Sequence, residues 1–145
     1  MVLALVLPRW DARLYAVGMH LRISDFAEPS AAAVRDFADE GWELELYDHG
    51  TTGAVAVGRT LANGHVWLSI NGKVDASTGD DMPTQELSGI LPVRMAARAE
   101  RVAVVGLASG VTAGRVLAEP GVTELSVVEL EPVVVRASHF FDHVN

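Results

Sequence analysis

The feature that most constrains the fold is a glycine-rich segment that directly follows a short apolar run. The run is 102–105 (V-A-V-V), and 106–114 reads G-L-A-S-G-V-T-A-G. Glycines allow the backbone to approach a ligand closely, and the N–H groups at the start of a helix face whatever binds there. The segment therefore predicts a strand, a tight turn at Gly106 to Gly110 and a helix, with a ligand site at the turn.

The same alternation continues toward the C-terminus. A helix is predicted at 111–118, closed by Pro120-Gly121, then a strand at 125–129 and a helix that begins at Pro132 and reaches Phe141. Short apolar runs of this kind are typical of strands buried on both faces of a parallel sheet. The order strand-helix-strand-helix predicts the first half of a Rossmann-like, methyltransferase-type parallel sheet.

A further helix is predicted ahead of that sheet. Asp80 or Asp81 can cap it, and Pro83 falls in its first turn, where proline is tolerated. The apolar residues of this helix fall on one face; they are Leu87, Ile90, Leu91 and Met95.

The segment 13–74 follows a different period, typical of strands and turns. Residues 42–47 alternate apolar and polar side chains, 54–57 and 65–70 are further strand candidates, and Asn71-Gly72 predicts a hairpin turn into 73–74. The Ala-rich segment 30–39 suits either a short helix or a loop. We therefore predict an α/β chain with an antiparallel β-hairpin module at 1–79 and a partial Rossmann-like nucleoside-binding domain at 80–145.

Composition narrows the function classes. The 145 residues are 50% apolar and 21% charged, enough to bury a core, and the formal net charge is −8. Such a charge repels phosphate backbones and favours cationic ligands, so we expect no nucleic-acid partner. The chain has no cysteine, which excludes disulfides, thiolate zinc sites and thiol nucleophiles. Without cysteines, the sequence does not indicate the redox compartment.

Two expectations concern the ends of the chain. The apolar run 2–7 (V-L-A-L-V-L) is too short to span a bilayer and lacks the basic flank of a signal peptide; it suits either a buried strand or the tail of a membrane segment. Two parallel strands do not close a core. Another segment, another copy or a missing C-terminal portion must complete it, and we expect the last, a truncated sequence.

The candidate site residues surround the glycine turn. Glu129 ends the second parallel strand, where its carboxylate can accept hydrogen bonds from vicinal ribose hydroxyls; the alternative is a solvated strand end. Glu131 can cap the following helix. The loop 71–86 brings carboxylates and Gln85 toward the mouth of the sheet, where they can hold a metal or an amine, although the spacing lacks a calcium-loop rhythm and we expect no metal site. The histidines at 49, 65, 139 and 143 suit packing or surface roles.

These motifs together resemble the spermidine synthases (polyamine aminopropyltransferases). Asn71-Gly72 falls on the family's D-G turn, and 80–87 falls on D-E-F-x-Y-[HQ]-E-M. The turn 106–110 matches G-G-G-D-G, and 128–131 matches V-E-[IL]-[DE]. Closer still are bacterial spermidine synthase-like domains that carry N-G-K-V-D-A-S, D-M-x-T-Q and G-L-G-S-G-V-T-A-G. The resemblance covers 42–145 and, more faintly, 9–19.

The resemblance implies transfer of an aminopropyl group from decarboxylated S-adenosylmethionine to a diamine such as putrescine. It implies no tightly bound cofactor, a cytoplasmic homo-oligomer and, in longer relatives, fusion to membrane segments. S-adenosylmethionine is the alternative donor. The residues that would bind the donor are Asp75, Gln85, Gly106, Ser109, Gly110 and Glu129.

Several positions depart from the family pattern. Ser109 stands where the family has the Asp that holds the aminopropyl amine, and Thr84 stands at the Tyr that lines the diamine site. The later D-A and D-x-x-D-P motifs, which supply the adenine contact and the catalytic Asp, are absent, so no catalytic residue is assigned. Two alternatives therefore stay open: an S-adenosylmethionine-dependent methyltransferase, and a non-catalytic nucleoside- or polyamine-binding module.

Overall fold

The structure, a computed structural model, describes residues 11–145 with the exception of 23, 25 and 29. The strand or membrane-segment tail expected at 2–7 lies outside the described residues. Within them, no helix is both long enough and apolar enough to cross a membrane. The helices are α1 (Ala12–Ala16), α2 (Met19–Arg22), α3 (Ala31–Asp39), α4 (Met82–Met95), α5 (Val111–Ala118), α6 (Pro132–Ser138) and a 3-10 turn (His139–Phe141). The strands are β1 (Trp42–His49), β2 (Ala54–Thr60), β3 (Val66–Ile70), β4 (Lys73–Ser77), β5 (Arg101–Val105) and β6 (Glu124–Val128).

Helices, not strands, begin the described part of the chain. The prediction of strands and turns from residue 13 was wrong for α1 and α2, whereas the helix alternative at 30–39 is confirmed by α3. Polar side chains start two of these helices. Asp11 accepts a hydrogen bond from the N–H of Arg13 (3.0 Å), and Ser30 accepts one from Ala33 (3.1 Å). These caps satisfy N–H groups that have no partner within the helix.

The first sheet is antiparallel and has the order β1-β2-β3-β4. It confirms the predicted strands and extends three of them, so that β1 ends at His49, β2 at Thr60 and β4 at Ser77. Asn71 (φ 52°) and Gly72 (φ 80°) form the β3–β4 turn, and positive φ at both positions is the geometry of the tight hairpin turn predicted there.

The second sheet contains two parallel strands, β5 and β6, paired in register from Arg101–Glu124 to Val105–Val128. The expectation that these strands are buried on both faces was wrong. Val102 and Val104 are half-buried, whereas Val105 and Val128 are 87% and 60% exposed. Alternate residues of a strand point to opposite faces, so one face of this sheet is uncovered within the described part of the chain.

Helix α4 packs through a different face from the one its apolar residues predict. Leu87, Leu91 and Met95 are exposed, and the buried residues are Gly89 and Val93. A side chain at Gly89 would lie 2.6 Å from the carbonyl oxygen of a residue in α5. The absence of a side chain therefore allows α4 and α5 to pack closely, and this backbone contact determines which face is buried.

The principal core joins the two halves of the chain. Four residues of the antiparallel sheet are fully buried (Val55, Val57, Val66 and Leu68), and they pack against α6 and the 3-10 turn through Val133, Val134, Ala137 and Phe141. Helix α6 therefore covers the antiparallel sheet although it follows the parallel strands in sequence. The division at residues 79 and 80 stays a prediction, and the core crosses it.

Candidate functional site at the glycine bend

The bend between β5 and α5 contains three residues with left-handed backbone. Their φ angles are 88° for Gly106, 48° for Ala108 and 86° for Gly110. The N–H of Gly106 donates to the carbonyl of Val128 (2.8 Å), which continues the sheet into the bend. Among the described residues, no atom beyond the two chain neighbours of Gly106 lies within 4 Å of the place where a side chain would begin. Glycine is therefore favoured at 106 by its backbone conformation, and the space beside it is open.

Glu129 lies against this bend. Its Oε2 accepts a hydrogen bond from the N–H of Leu107 (2.7 Å), and its Oε1 accepts one from the N–H of Glu131 (2.8 Å). An ionised carboxylate has about four lone-pair sites, so each oxygen can accept a further hydrogen bond. The side chain is half-buried. The structure thus places a fixed, accessible carboxylate beside the open space at Gly106.

Ser109 connects the bend to the start of α4. The residue is 2% exposed, and its hydroxyl donates to Oε1 of Gln85 (2.5 Å). The Nε2 of Gln85 donates in turn to the carbonyl of Ser77 (2.8 Å) and to Oδ2 of Asp81 (2.9 Å). Asp81 precedes the helix, but its side chain binds Ser77 and Gln85 and does not cap α4. The predicted residues Gln85 and Ser109 are therefore in direct contact.

Glu131 binds a distant turn instead of capping the helix that follows it. It is 3% exposed, and its side chain leaves α6 uncapped, contrary to the capping alternative. It accepts hydrogen bonds from the N–H of Thr51 (2.8 Å), the N–H of Thr52 and the hydroxyl of Thr52 (2.6 Å). The Thr52 hydroxyl and these N–H groups outweigh burial and lower the pKa of Glu131. A side chain at Gly50 would collide with this carboxylate.

Asp75 has no hydrogen bond to the other predicted residues among the contacts of the described residues. It forms an ion pair with Lys73 (2.6 Å) and lines a cavity of about 780 Å³ between the antiparallel sheet and α1–α3. None of the residues 106–110 lines that cavity. The structure therefore brings five of the six predicted residues into one hydrogen-bonded region, namely Gln85, Gly106, Ser109, Gly110 and Glu129.

The four histidines named in the sequence analysis take positions of two kinds. His49, His139 and His143 are exposed, and His65 is half-buried and lines the same cavity as Asp75. Within the described residues, no group of three or more His, Asp or Glu side chains is arranged to hold a metal ion.

A pair of carboxylates in the sequence points to Glu131. Two carboxylates, Glu129 and Glu131, follow the same strand two positions apart. In extended backbone such side chains point to the same side, but the end of β6 turns here into α6. One carboxylate therefore binds the bend and the other binds the β1–β2 turn.

Comparisons with known proteins agree with this architecture. The chain is similar to the crystal structure of a spermidine synthase in complex with the transition-state analogue AdoDATO, with a TM-score of 0.63, 16% identity and coverage of 70% of this chain and 35% of that one. For spermidine synthase from Thermotoga maritima the values are 0.61, 16%, 68% and 34%. No family model matches the sequence, and neither does any curated protein.

The fold is therefore that of a partial methyltransferase-like α/β protein, with an antiparallel sheet of four strands beside a parallel sheet of two. More narrowly, it is a spermidine synthase-like fold. The chain spans about a third of the length of the solved structures that it matches.

Proposed function

We propose that this chain binds an adenosine that carries a sulfur-linked chain, in the manner of an aminopropyltransferase-like protein. The ribose hydroxyls donate to Glu129, and the sulfur-linked chain lies against the bend at Gly106 to Gly110. One observation carries the proposal: the Glu129 carboxylate is held at the bend by the N–H groups of Leu107 and Glu131 and retains acceptor capacity on both oxygens.

The proposed reaction is aminopropyl transfer from decarboxylated S-adenosylmethionine to a diamine. A neutral amine nitrogen attacks the carbon next to the sulfonium, the N–C bond forms as the C–S bond breaks, and neutral methylthioadenosine leaves. The attacking nitrogen then loses a proton. The residues of this chain are proposed to orient the donor. The bend and Glu129 hold the nucleoside so that its reactive carbon stays in one position for attack.

Ser109 supports a second candidate, a nucleoside-binding module without catalysis. The family pattern has an Asp there, whereas the Ser109 hydroxyl is committed to Gln85 and the residue is almost fully buried. A neutral hydroxyl cannot balance the charge of an aminopropyl ammonium group. This observation favours a neutral nucleoside over a cationic donor.

Calorimetric titration with methylthioadenosine tests the nucleoside site. We expect Glu129→Gln to weaken binding about tenfold or more, because hydrogen bonds to a charged acceptor contribute about 1.5–3 kcal/mol. Glu124→Gln is the matched control, since Glu124 is exposed at the start of the same strand, and it should bind like the wild type. Equal affinity for methylthioadenosine in all three proteins would show that Glu129 is not part of the nucleoside site.

A turnover assay separates the candidate functions. The chain is incubated with decarboxylated S-adenosylmethionine plus putrescine, and separately with S-adenosylmethionine plus putrescine as a test acceptor. Release of methylthioadenosine in the first mixture supports aminopropyl transfer, and formation of adenosylhomocysteine in the second supports a methyltransferase. Methylthioadenosine binding without either product supports the non-catalytic module.

A further inference from the structure

We propose that Glu131 is a positioning residue for the nucleoside site, which it connects to the β1–β2 turn (50–53) of the antiparallel sheet. This inference rests on the proposed function, in which Glu129 binds the ribose. Glu131 acts through its backbone N–H, which donates to Oε1 of Glu129 (2.8 Å). The position of the Glu129 carboxylate therefore depends on where the start of α6 is held.

The Glu131 side chain is a buried carboxylate with neutral partners. It is 3% exposed, and no ion pair of the described residues involves it. Burying a carboxylate is costly unless hydrogen bonds replace the water that it loses. Its three donors all belong to one turn: the N–H of Thr51 (2.8 Å), the N–H of Thr52 and the Thr52 hydroxyl (2.6 Å). The charge thus fastens the start of α6 to that turn, because moving away would leave the buried carboxylate without partners.

The β1–β2 turn is closed on itself and supported by the neighbouring hairpin. The N–H of Gly50 donates to the carbonyl of Gly53 (2.8 Å). The side chain of Asn71 accepts a hydrogen bond from the N–H of Ala54 (3.0 Å), and the N–H of Asn71 donates to the carbonyl of Ala54 (2.8 Å). Side chains at Gly50 and Gly53 would overlap Glu131 and Asn71, respectively. The turn is therefore a fixed base for the carboxylate that it binds.

These contacts form one continuous path from the antiparallel sheet to the glycine bend. The path runs from the turn to the Glu131 side chain, and from the Glu131 N–H to Glu129. It ends where Oε2 of Glu129 accepts from the N–H of Leu107 (2.7 Å). Because the proposed ribose-binding carboxylate lies within this path, we expect the loss of a turn contact to loosen it locally, without unfolding of the sheet.

Thr52→Val and Thr51→Val form a matched pair that tests the path. Both residues are exposed and both substitutions remove a hydroxyl, but the Thr52 hydroxyl donates to Glu131, whereas Thr51 donates through its backbone N–H. We expect Thr52→Val to weaken methylthioadenosine binding at least about fivefold, the lower end of typical couplings between two sites. Thr51→Val should bind as the wild type does. Calorimetry measures each affinity, and equal affinity in the two variants would overturn the proposal.

Two substitutions of Glu131 itself extend the test. Glu131→Gln keeps an oxygen that can accept hydrogen bonds from Thr52, so it should retain most of the methylthioadenosine affinity. Glu131→Leu removes every acceptor and should lose at least as much affinity as Thr52→Val. Thermal melts establish that each variant is folded. If the folded leucine variant binds methylthioadenosine as well as the glutamine variant does, the Glu131 side chain does not position the site.

Amide hydrogen exchange tests the path without any ligand. In Thr52→Val, the N–H of Leu107 should exchange faster than in the wild type. The N–H of Thr78, which donates to the carbonyl of Val66 at the other end of the sheet (2.8 Å), should keep its rate, whereas a generally destabilised chain would show faster exchange at both. By thermodynamic reciprocity, methylthioadenosine should slow the exchange of the Thr52 N–H in the wild type.

The exchange rates also separate failure of this inference from failure of the proposed function. If the wild type binds no methylthioadenosine but Leu107 exchanges faster in Thr52→Val alone, the proposed function is wrong and the connection between the turn and Glu129 is supported. If the wild type binds methylthioadenosine and the exchange of Leu107 is the same in Thr51→Val and Thr52→Val, the nucleoside site stands and the positioning role of Glu131 is overturned.

Discussion

The two sheets of this molecule differ in how completely they are covered. In the antiparallel sheet, Val55, Val57 and Leu68 have no exposed surface, because their side chains pack against α6. Helix α1 lies against the same sheet. In the parallel sheet, Val105 and Val128 are mostly exposed. The sheet that bears the candidate nucleoside site is thus the less covered of the two, although the helix that follows it completes the core of the other.

The difference shows how the two regions depend on each other. Helix α6 supplies half of the principal core, and Glu131 at its start binds the β1–β2 turn through Thr51 and Thr52. The backbone N–H of the same Glu131 donates to Glu129 at the bend. The well-covered sheet therefore positions the site-bearing strand end, and damage to the core is expected to reach the bend.

The largest effect is expected where α6 meets the antiparallel sheet. Phe141 is the largest of the fully buried side chains. Phe141→Ala should destabilise the chain by about 3–5 kcal/mol, since it removes buried surface and leaves a cavity. Chemical denaturation monitored by circular dichroism measures the loss, and Phe141→Leu gives a smaller step if the alanine variant fails to fold.

Leu117→Ala is the control for that experiment. Leu117 lies on α5 and is 60% exposed, so its truncation should change the free energy of unfolding by no more than about 0.5 kcal/mol. If Leu117→Ala and Phe141→Ala destabilise equally, the core is not centred on α6.

A matched pair of substitutions compares the two sheets directly. Valine and threonine have nearly the same shape, but threonine carries a hydroxyl that must be hydrogen-bonded when buried. Val57→Thr should therefore cost about 1–3 kcal/mol, and Val128→Thr should stay within about 0.5 kcal/mol of the wild type. The midpoints of urea unfolding test both. A cost at Val128 as large as that at Val57 would show that the exposed face of the parallel sheet is covered in solution.

Features determined by local sequence were predictable. Helix α5 was predicted at its observed bounds, and the glycine bend, the hairpin turn at Asn71-Gly72 and the position of Glu129 were placed correctly. Each depends on residues near in sequence: positive-φ glycines, apolar periodicity, or the end of a strand beside the preceding turn.

Features that depend on distant contacts were not predictable. Thr52 is 79 residues from Glu131, so no local pattern indicates their contact. The buried face of α4 follows from the close approach of α5 at Gly89 and not from the apolar stripe at Leu87 and Leu91. The exposure of the parallel strands depends on which elements pack against the sheet. The residues of each strand do not indicate which elements these are.

The last comparison is Glu131→Gln, because the glutamine oxygen can still accept the two hydrogen bonds from Thr52 and only the one from the N–H of Thr51 is lost. The folded chain lowers the pKa of Glu131 below its ordinary 4.5, through the Thr52 hydroxyl first. A carboxyl with a depressed folded-state pKa stabilises the fold fully above its unfolded pKa and loses that contribution as the pH falls through the folded value. Melting temperatures of variant and wild type should therefore differ at pH 7 and converge on acidification below pH 4.5. Two outcomes would contradict this: a constant difference across this range, or the same pH dependence in the exposed control Glu124→Gln. Either one would show that the contact between Glu131 and the hairpin turn does not depend on the charge of Glu131. The coupling between the two sheets would then rest on the packing of α6 alone.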